Sequence, residues 1–382
     1  MTSGARPTRV FFPCSGLGRE MRGFEAFTRE CAAALRGHPE LDITVFGGGG
    51  APESGERAVW NLPRAGVWAR VLGSMLARDP YFIEQASFFA GFLPALIMGK
   101  PDLVYFGDLN VGNACWHWRR LTGQRYELLY YNGGATTRPF TRCDLVQQVS
   151  PEHLASALAR GERADRQVLL PHGVAIEREY RSVTHAERVA LRTRLGVPVD
   201  GSLVLAVGVL DRSTKRMDYV IDEVARIAPG PHLLLVGATT PETPGVRARA
   251  AEVLGDRCTI RTLSRVDTRL AYRAADAFVL ASLREGFGLV QVEALDAGLP
   301  CVVHDTPTSA FVLGPHGVRA DLRHEGALAV ALERALAGGR GDERGRHEWA
   351  WGQFSWERLV PRYAELLACS AAGRRPAFAE VP

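Results

Sequence analysis

Short apolar runs alternate with helix-like stretches along most of the chain, and the alternation starts afresh past the middle. This pattern demands parallel strand pairing, because the chain must cross a sheet face through each helix before it adds the next strand. In the first half, Val10–Pro13, Asp42–Phe46, Asp102–Phe106, Leu128–Tyr131, Leu145–Val149 and Val168–Leu170 read as strands. In the second, Leu203–Val207, Leu233–Val236, Thr259–Arg261, Ala277–Leu280 and Cys301–His304 do. Glu20–Leu35, Met217–Ala228 and Leu270–Ala275 read as helices, and Gly37 sits where a C-terminal glycine cap belongs. A polar, Arg-rich link near Ala175–His185 separates the two series. The expected fold class is α/β: two doubly wound, Rossmann-like domains facing across a cleft. The first spans about residues 1–178 and the second about 186–350, which suits a chain of 382 residues. In such sheets, ligands bind beyond the carboxyl ends of the strands, so the loops there are where chemistry belongs.

Composition removes several functional classes. The seven cysteines (Cys14, Cys31, Cys115, Cys143, Cys258, Cys301 and Cys369) are odd in number and scattered, without C-x-x-C. They read as reduced thiols in a cytosol, not as a disulfide frame or a zinc site. Met1–Arg9 is polar and short, so no secretory signal is read there and a cytoplasmic location is expected. Ser87–Gly99, the most apolar stretch, is too short to span a bilayer and carries Pro94. It reads as a buried or partly buried helix, and a face dipping into the inner membrane surface is the lesser reading. The net charge of +4 does not point to nucleic acid. Nearly all the basic residues are Arg, which suggests a high-GC bacterial genome; Lys100 and Lys215 are the only lysines.

The first strand runs into Cys14-Ser15-Gly16-Leu17-Gly18-Arg19-Glu20 ahead of a helix. Gly16 and Gly18 can let backbone approach an anion at the helix N-terminus, or form a plain strand-to-helix turn. A dinucleotide fingerprint would need Gly where Met21 stands, which disfavours a nicotinamide or flavin enzyme. The chain has no G-x-x-x-x-G-K-[ST] loop, no G-x-S-x-G elbow, no H-E-x-x-H and no Asp-x-Asp pair, so no metal and no cofactor are expected. The informative segment is Glu285-Gly286-Phe287-Gly288-Leu289-Val290-Gln291-Val292-Glu293-Ala294-Leu295. It follows the strand Ala277–Leu280, opens a helix near Leu289 and stops at Gly298 before Pro300. The N–H groups of Phe287–Val290 then form an anion cradle, with Glu285 just outside the helix start and Glu293 one turn inside. Two carboxylates so placed can hold hydroxyls on either side of a diphosphate.

The spacing from Glu285 to Glu293 and the run EGFGLVQVEALDAGLP resemble the E-x7-E signature of retaining GT-B glycosyltransferases of family 4. VGVLDRSTKRMDYVIDEVARI resembles that family's first C-domain strand, loop and helix. LPHGV resembles its interdomain turn and FSWERLVPRYAELL its closing helix, which crosses back to the N-domain; Trp356–Leu367, within about 353–370, is the candidate here. The resemblance implies a retaining, metal-independent transferase acting on a UDP-, GDP- or dTDP-linked sugar, with a glycan, lipid-linked or natural-product acceptor. By that resemblance Glu285 binds hydroxyls of the donor sugar, and Phe287, Gly288 and Leu289 present backbone to the distal phosphate. Glu293 takes the ribose hydroxyls, Lys215 the diphosphate, and Gly16 and Gly18 approach the donor phosphate. Two positions depart from the family. The usual Arg six residues before the Lys is Val209, with Arg212 favoured over Arg216 as its replacement. The usual His after the strand Asp102–Phe106 gives way to Gly107-Asp108. Asp108 positions the acceptor or caps a helix; Asn132, followed by glycines, and His172 are further cleft candidates. A nucleotide-sugar epimerase or phosphorylase of the same fold, and a catalytically silent binding relative, are the competing readings.

Overall fold

The computed structural model describes residues 6–20, 23–50, 52, 54–134 and 139–379; Met21, where the dinucleotide glycine would stand, lies outside them. The chain divides into two compact units, one built from the described residues up to Gly173 and from Trp356 on, the other from Val174–Ser355. The break falls at Gly173 rather than 178.

In the first unit, β1 (Thr8–Cys14), β2 (Leu41–Gly47), β3 (Glu56–Ala58), β4 (Leu103–Phe106), β5 (Glu127–Asn132), β6 (Leu145–Gln148) and β7 (Gln167–Leu169) form one sheet. Its order is β3-β2-β1-β4-β5-β6-β7 and every pairing is parallel. The helices are α1 (Gly23–Leu35), α2 (Val67–Met75), α3 (Pro80–Gly99), α4 (Leu109–Thr122) and α5 (Pro151–Ala159). In the second unit, β8 (Leu203–Val207), β9 (His232–Val236), β10 (Cys258–Arg261), β11 (Ala277–Leu280), β12 (Cys301–His304) and β13 (Gly317–Ala320) pair in parallel in the order β10-β9-β8-β11-β12-β13. Its helices are α6 (His185–Leu195), α7 (Met217–Ala225), α8 (Thr243–Val253), α9 (Arg265–Ala274), α10 (Leu289–Asp296), α11 (Pro307–Leu313), α12 (Ala327–Ala337) and α13 (Glu343–Phe354). Helix α14 (Trp356–Ala371) closes the first unit: its Tyr363 hydroxyl donates to the Pro171 carbonyl at 2.8 Å and accepts from Gln147 at 2.9 Å.

Helices on both faces leave the central strands no wet side, so β8 is buried from Leu203 to Val207 and carries no polar residue. Val204, Leu233, Leu235, Val279 and Val302 pack with Val220, Ile221 and Val224 of α7 as the second unit's core. Phe11, Phe46, Phe88, Phe92 and Phe106 anchor that of the first.

The apolar stretch Ser87–Gly99 proves to be the second part of a longer helix. Asp79 caps α3 by accepting the Phe82 N–H at 2.7 Å, and Pro80 takes its first turn. At 20 residues, α3 is long and apolar enough to cross a membrane by length and composition alone. Its Phe88, Phe92 and Leu96, one turn apart, are fully buried in the first unit.

Candidate active site

Each sheet has one point where the strand order reverses, between β1 and β4 in the first unit and between β8 and β11 in the second. Adjacent loops there leave their strands in opposite directions and open a crevice. In the second unit, the loop after β8 brings Lys215 and the loop after β11 brings Glu285, and the two side chains form an ion pair across the crevice. Both are partly buried. Two residues set up this encounter and escaped the sequence reading. Asp211 is buried, and its Oδ1 accepts the backbone N–H groups of Lys215 at 2.6 Å and Thr214 at 3.1 Å, which folds the loop into a tight turn. A Cβ on Gly208 would lie 2.9 Å from Lys215 Cγ, so that glycine makes room for the lysine stem. An Asp four residues before a lone Lys was the available signal.

The loop after β11 enters α10 through Gly288, whose φ of +80° is left-handed, with no room for a Cβ beside Gln291. Phe287 is buried edge-on against Phe354 at 5.5 Å, which pins the loop, and Leu289 opens the helix. Among the described residues, two buried polar atoms here lack a hydrogen-bond partner: the Ser282 hydroxyl and the Gln291 Oε1. Glu293 accepts from the Tyr272 hydroxyl of α9 at 3.0 Å. Burial raises its carboxyl above the usual range, opposed by the Tyr272 hydrogen bond and by Arg265 and Arg269. The favoured replacement for Val209 is not held beside Lys215: Arg212 pairs with Asp218 at 3.1 Å and is mostly exposed. Arg216 donates to the carbonyls of Leu322 at 2.7 Å and Ala281 at 3.2 Å and lies over the Tyr219 ring.

In the first unit, the Ser15 N–H donates to Asp108 Oδ2 at 2.6 Å, joining the loops after β1 and β4. Asp108 is buried and also receives the Tyr81 hydroxyl. It precedes α4 without capping it, because its carboxylate is engaged by those two donors. The space a Cβ would need is already filled at both loop glycines: by Glu25 Oε1 at Gly16 and by the Gly49 carbonyl, 1.9 Å away, at Gly18. Their smallness therefore serves internal packing. Asn132 is buried and donates to Gln148 at 2.9 Å.

His172 is also interior, stacked on Phe27 with ring centroids 3.9 Å apart. Burial, with a smaller push from His153, lowers its pKa to about 3. The folded chain then keeps His172 neutral where an unfolded histidine, with a pKa of about 6.5, takes up a proton. Stability is full above that value and falls as pH drops toward about 3. His172→Phe keeps the stacking and removes the titration. Between pH 6.5 and 4, the variant should lose roughly 2–3 kcal/mol less unfolding free energy than the parent. Identical pH dependence in urea titrations would refute this.

With this geometry in hand, comparison with known proteins becomes informative. The family model described as Glycosyl transferases group 1 matches residues 201–338, which contain Lys215, Glu285 and Glu293. Over residues 201–338 the chain is therefore similar to the glycosyl transferases group 1 family. D-inositol 3-phosphate glycosyltransferase of Geodermatophilus obscurus is 34% identical over 210 residues, covering 51% of this chain and 45% of the relative. The lipopolysaccharide core biosynthesis glycosyltransferase LpsE of Rhizobium meliloti is 32% identical over 186 residues, 46% of this chain and 53% of its own. The chain thus spans about half the length of the curated relatives it matches. Among solved structures, sucrose-phosphate synthase of Thermosynechococcus elongatus matches with a TM-score of 0.77 at 21% identity, over 94% of this chain and 98% of that one. Anabaena Alr3699/HepE in complex with UDP and glucose matches at 0.75 with 17% identity, over 94% and 99%. The fold is GT-B, an α/β fold with two parallel sheets and flanking helices.

Proposed function

We propose that this chain is a retaining glycosyltransferase that moves a sugar from a nucleotide-diphosphate sugar to a glycan, lipid-linked or natural-product acceptor, without a metal ion. The observation that carries the reading is the Lys215–Glu285 pair at the reversal point of a group 1 sheet, beside the Gly286–Gly288 turn into α10. HepE, a structural neighbour, was solved with UDP-glucose. By analogy, a diphosphate placed at the α10 N-terminus meets the positive end of the helix dipole and the Lys215 ammonium. Both stabilise the charge that grows on the leaving phosphate as the glycosidic bond lengthens. Glu285 then exchanges the ammonium for sugar hydroxyls. The leaving phosphate oxygen takes the acceptor proton on the same face, so no strong protein base is needed and positioning does most of the work. The unpartnered Ser282 hydroxyl and Gln291 Oε1 offer the ligand a donor and an acceptor. The anomeric configuration of the first-formed product, followed by NMR, tests retention; an inverted product would reject it.

Turnover should persist in excess chelator, because Lys215 and the α10 amides can offset the leaving charge. Loss of activity on chelation, regained with Mg²⁺ or Mn²⁺, would contradict the metal-independent mechanism.

The two glutamates should divide their labour. Glu293, steadied by Tyr272 on the helix side, makes ribose contacts that change little between ground and transition states. Glu293→Gln should therefore raise the donor KM roughly tenfold with a smaller effect on kcat. Glu285 stands nearer the reacting sugar, where positive charge develops, so Glu285→Gln should chiefly lower kcat. Steady-state kinetics showing the opposite split would place nucleotide and sugar at the wrong ends of the motif.

A further inference from the structure

Helix α2 is built inside out. Its inward residues are Ala69 and Gly73, both buried, and it packs against α3 through this narrow face. A Cβ at Gly73 would stand 2.7 Å from the Arg78 carbonyl, so the turn that leads from α2 into α3 folds back closely over this glycine. Val67, Val71 and Met75 recur one turn apart on the opposite face, flanked by Trp68, and all four are exposed. Trp68 is 68% and Met75 76% exposed, and Leu76 (61%), next to Met75, extends the patch. A helix serving only its own core would show the reverse pattern, with large apolar residues inward. Contiguous exposed apolar surface of this kind marks an interaction site.

We infer that this face docks on an anionic lipid bilayer. Three observations select that occupant. The patch carries the exposed indole of Trp68, a side chain that favours the interface between acyl chains and headgroups, and a second exposed indole, Trp60, stands on the segment leading to α2. Helix α2 contains Arg70 and no acidic residue; Arg78 follows it, and the carboxylate of the next residue, Asp79, is turned to the Phe82 N–H as the α3 cap. That arrangement complements acidic headgroups. In a two-fold pairing of copies, the same arginines would instead meet at one interface and repel. The segment leading to α2 is bonded to the loop after β1, since Asn61 donates to the Ser15 carbonyl at 3.0 Å. Docking therefore holds the carboxyl end of the first sheet beside the headgroups. The face lies on α2, not on the Ser87–Gly99 stretch that hydropathy alone singles out. The inference is independent of the transferase reading, because its test reads vesicle binding and not turnover.

The experiment is flotation of the full-length chain with vesicles of phosphatidylcholine, with and without phosphatidylglycerol. The parent should float with the anionic vesicles, less so at high salt, and poorly with phosphatidylcholine alone. The double variant Trp68→Ser/Met75→Ser should bind at least about tenfold more weakly at an unchanged thermal midpoint. Arg70→Glu should weaken binding to anionic vesicles specifically. Brominated lipid should quench the parent's tryptophan fluorescence, and the Trp60→Phe/Trp68→Phe variant should lose that quenching, a readout that tolerates near-isosteric changes. A parent that stays with the unbound fraction, or a serine variant that floats as well as the parent, would overturn the proposal. So would a parent dimer that the serine variant dissociates in the absence of vesicle binding, which would make the face a self-interface.

Discussion

Lys215→Ala should lower turnover roughly 100- to 1000-fold while leaving the second unit folded, the effect of removing one preorganised charge from a closed site. The structure separates the two consequences. The Lys215 stem runs over Gly208 and its ammonium reaches Glu285, so its contacts are local to the crevice and touch neither the sheet core nor α7 packing. Glu285 retains some solvent exposure, so it can rehydrate when its partner is lost. Stability should change little, and the thermal midpoint serves as the control. The substitution removes the cation that pairs with Glu285 between β8 and β11, a contact that neither Arg212, paired with Asp218, nor Arg216, bonded to the Leu322 and Ala281 carbonyls, makes. Near-normal kcat in a folded Lys215→Ala protein would take Lys215 out of the mechanism. A kcat deficit in Arg216→Ala, by contrast, should come with a lower midpoint, because two buried carbonyls lose their donor.

Arg64→Ala should be the most damaging change to stability in the first unit, about 3–5 kcal/mol. Glu84 is buried on α3, and the Arg64 guanidinium reaches it through Nε at 3.1 Å from both carboxylate oxygens. The same guanidinium lies 4.0 Å over the Tyr81 ring. Among the described residues, removing it leaves the buried carboxylate with the Arg64 N–H at 2.8 Å and the Ser15 hydroxyl at 3.3 Å. In a domain of this size the loss corresponds to a fall of roughly 6–15 °C in the thermal midpoint. Glu84→Gln combined with Arg64→Ala should recover part of it, because the charge is then absent. A midpoint within a degree or two of the parent would mean that water reaches Glu84 and replaces the guanidinium.

The central strands were legible in the sequence because they are buried on both faces. Leu203–Val207, Ala277–Leu280 and Cys301–His304 read as unbroken apolar runs and occupy those same residues. Of the edge strands, β7 and β10 fall within one residue of the expected Val168–Leu170 and Thr259–Arg261, but β3 and β13 were not legible. β3 is Glu-Arg-Ala and β13 carries an exposed Arg319, so neither has an apolar run to detect. Helix α9 starts at Arg265, ahead of the expected Leu270, because its first turn is polar and is set by the Ser264 cap on Asp267 N–H. At the site, the Lys215 and Glu285 meeting rests on two loops distant in sequence and adjacent only through β8–β11 pairing. The motif signalled both residues but not the Asp211 turn that aims the lysine. Asp108, Asn132 and His172 are buried in the first unit, a placement that side-chain type alone does not encode.

The central claim is transfer from a nucleotide sugar. Its most direct test incubates the full chain with UDP-, GDP- and dTDP-linked sugars, with and without a panel of sugar, polyol and lipid-linked acceptors, and follows release of nucleoside diphosphate. The account predicts release from one nucleotide class, stimulated by an acceptor, unaffected by chelator and abolished in Lys215→Ala. A folded protein that binds a nucleoside diphosphate yet releases none from any donor with any acceptor would make this chain a silent binding relative and contradict the account.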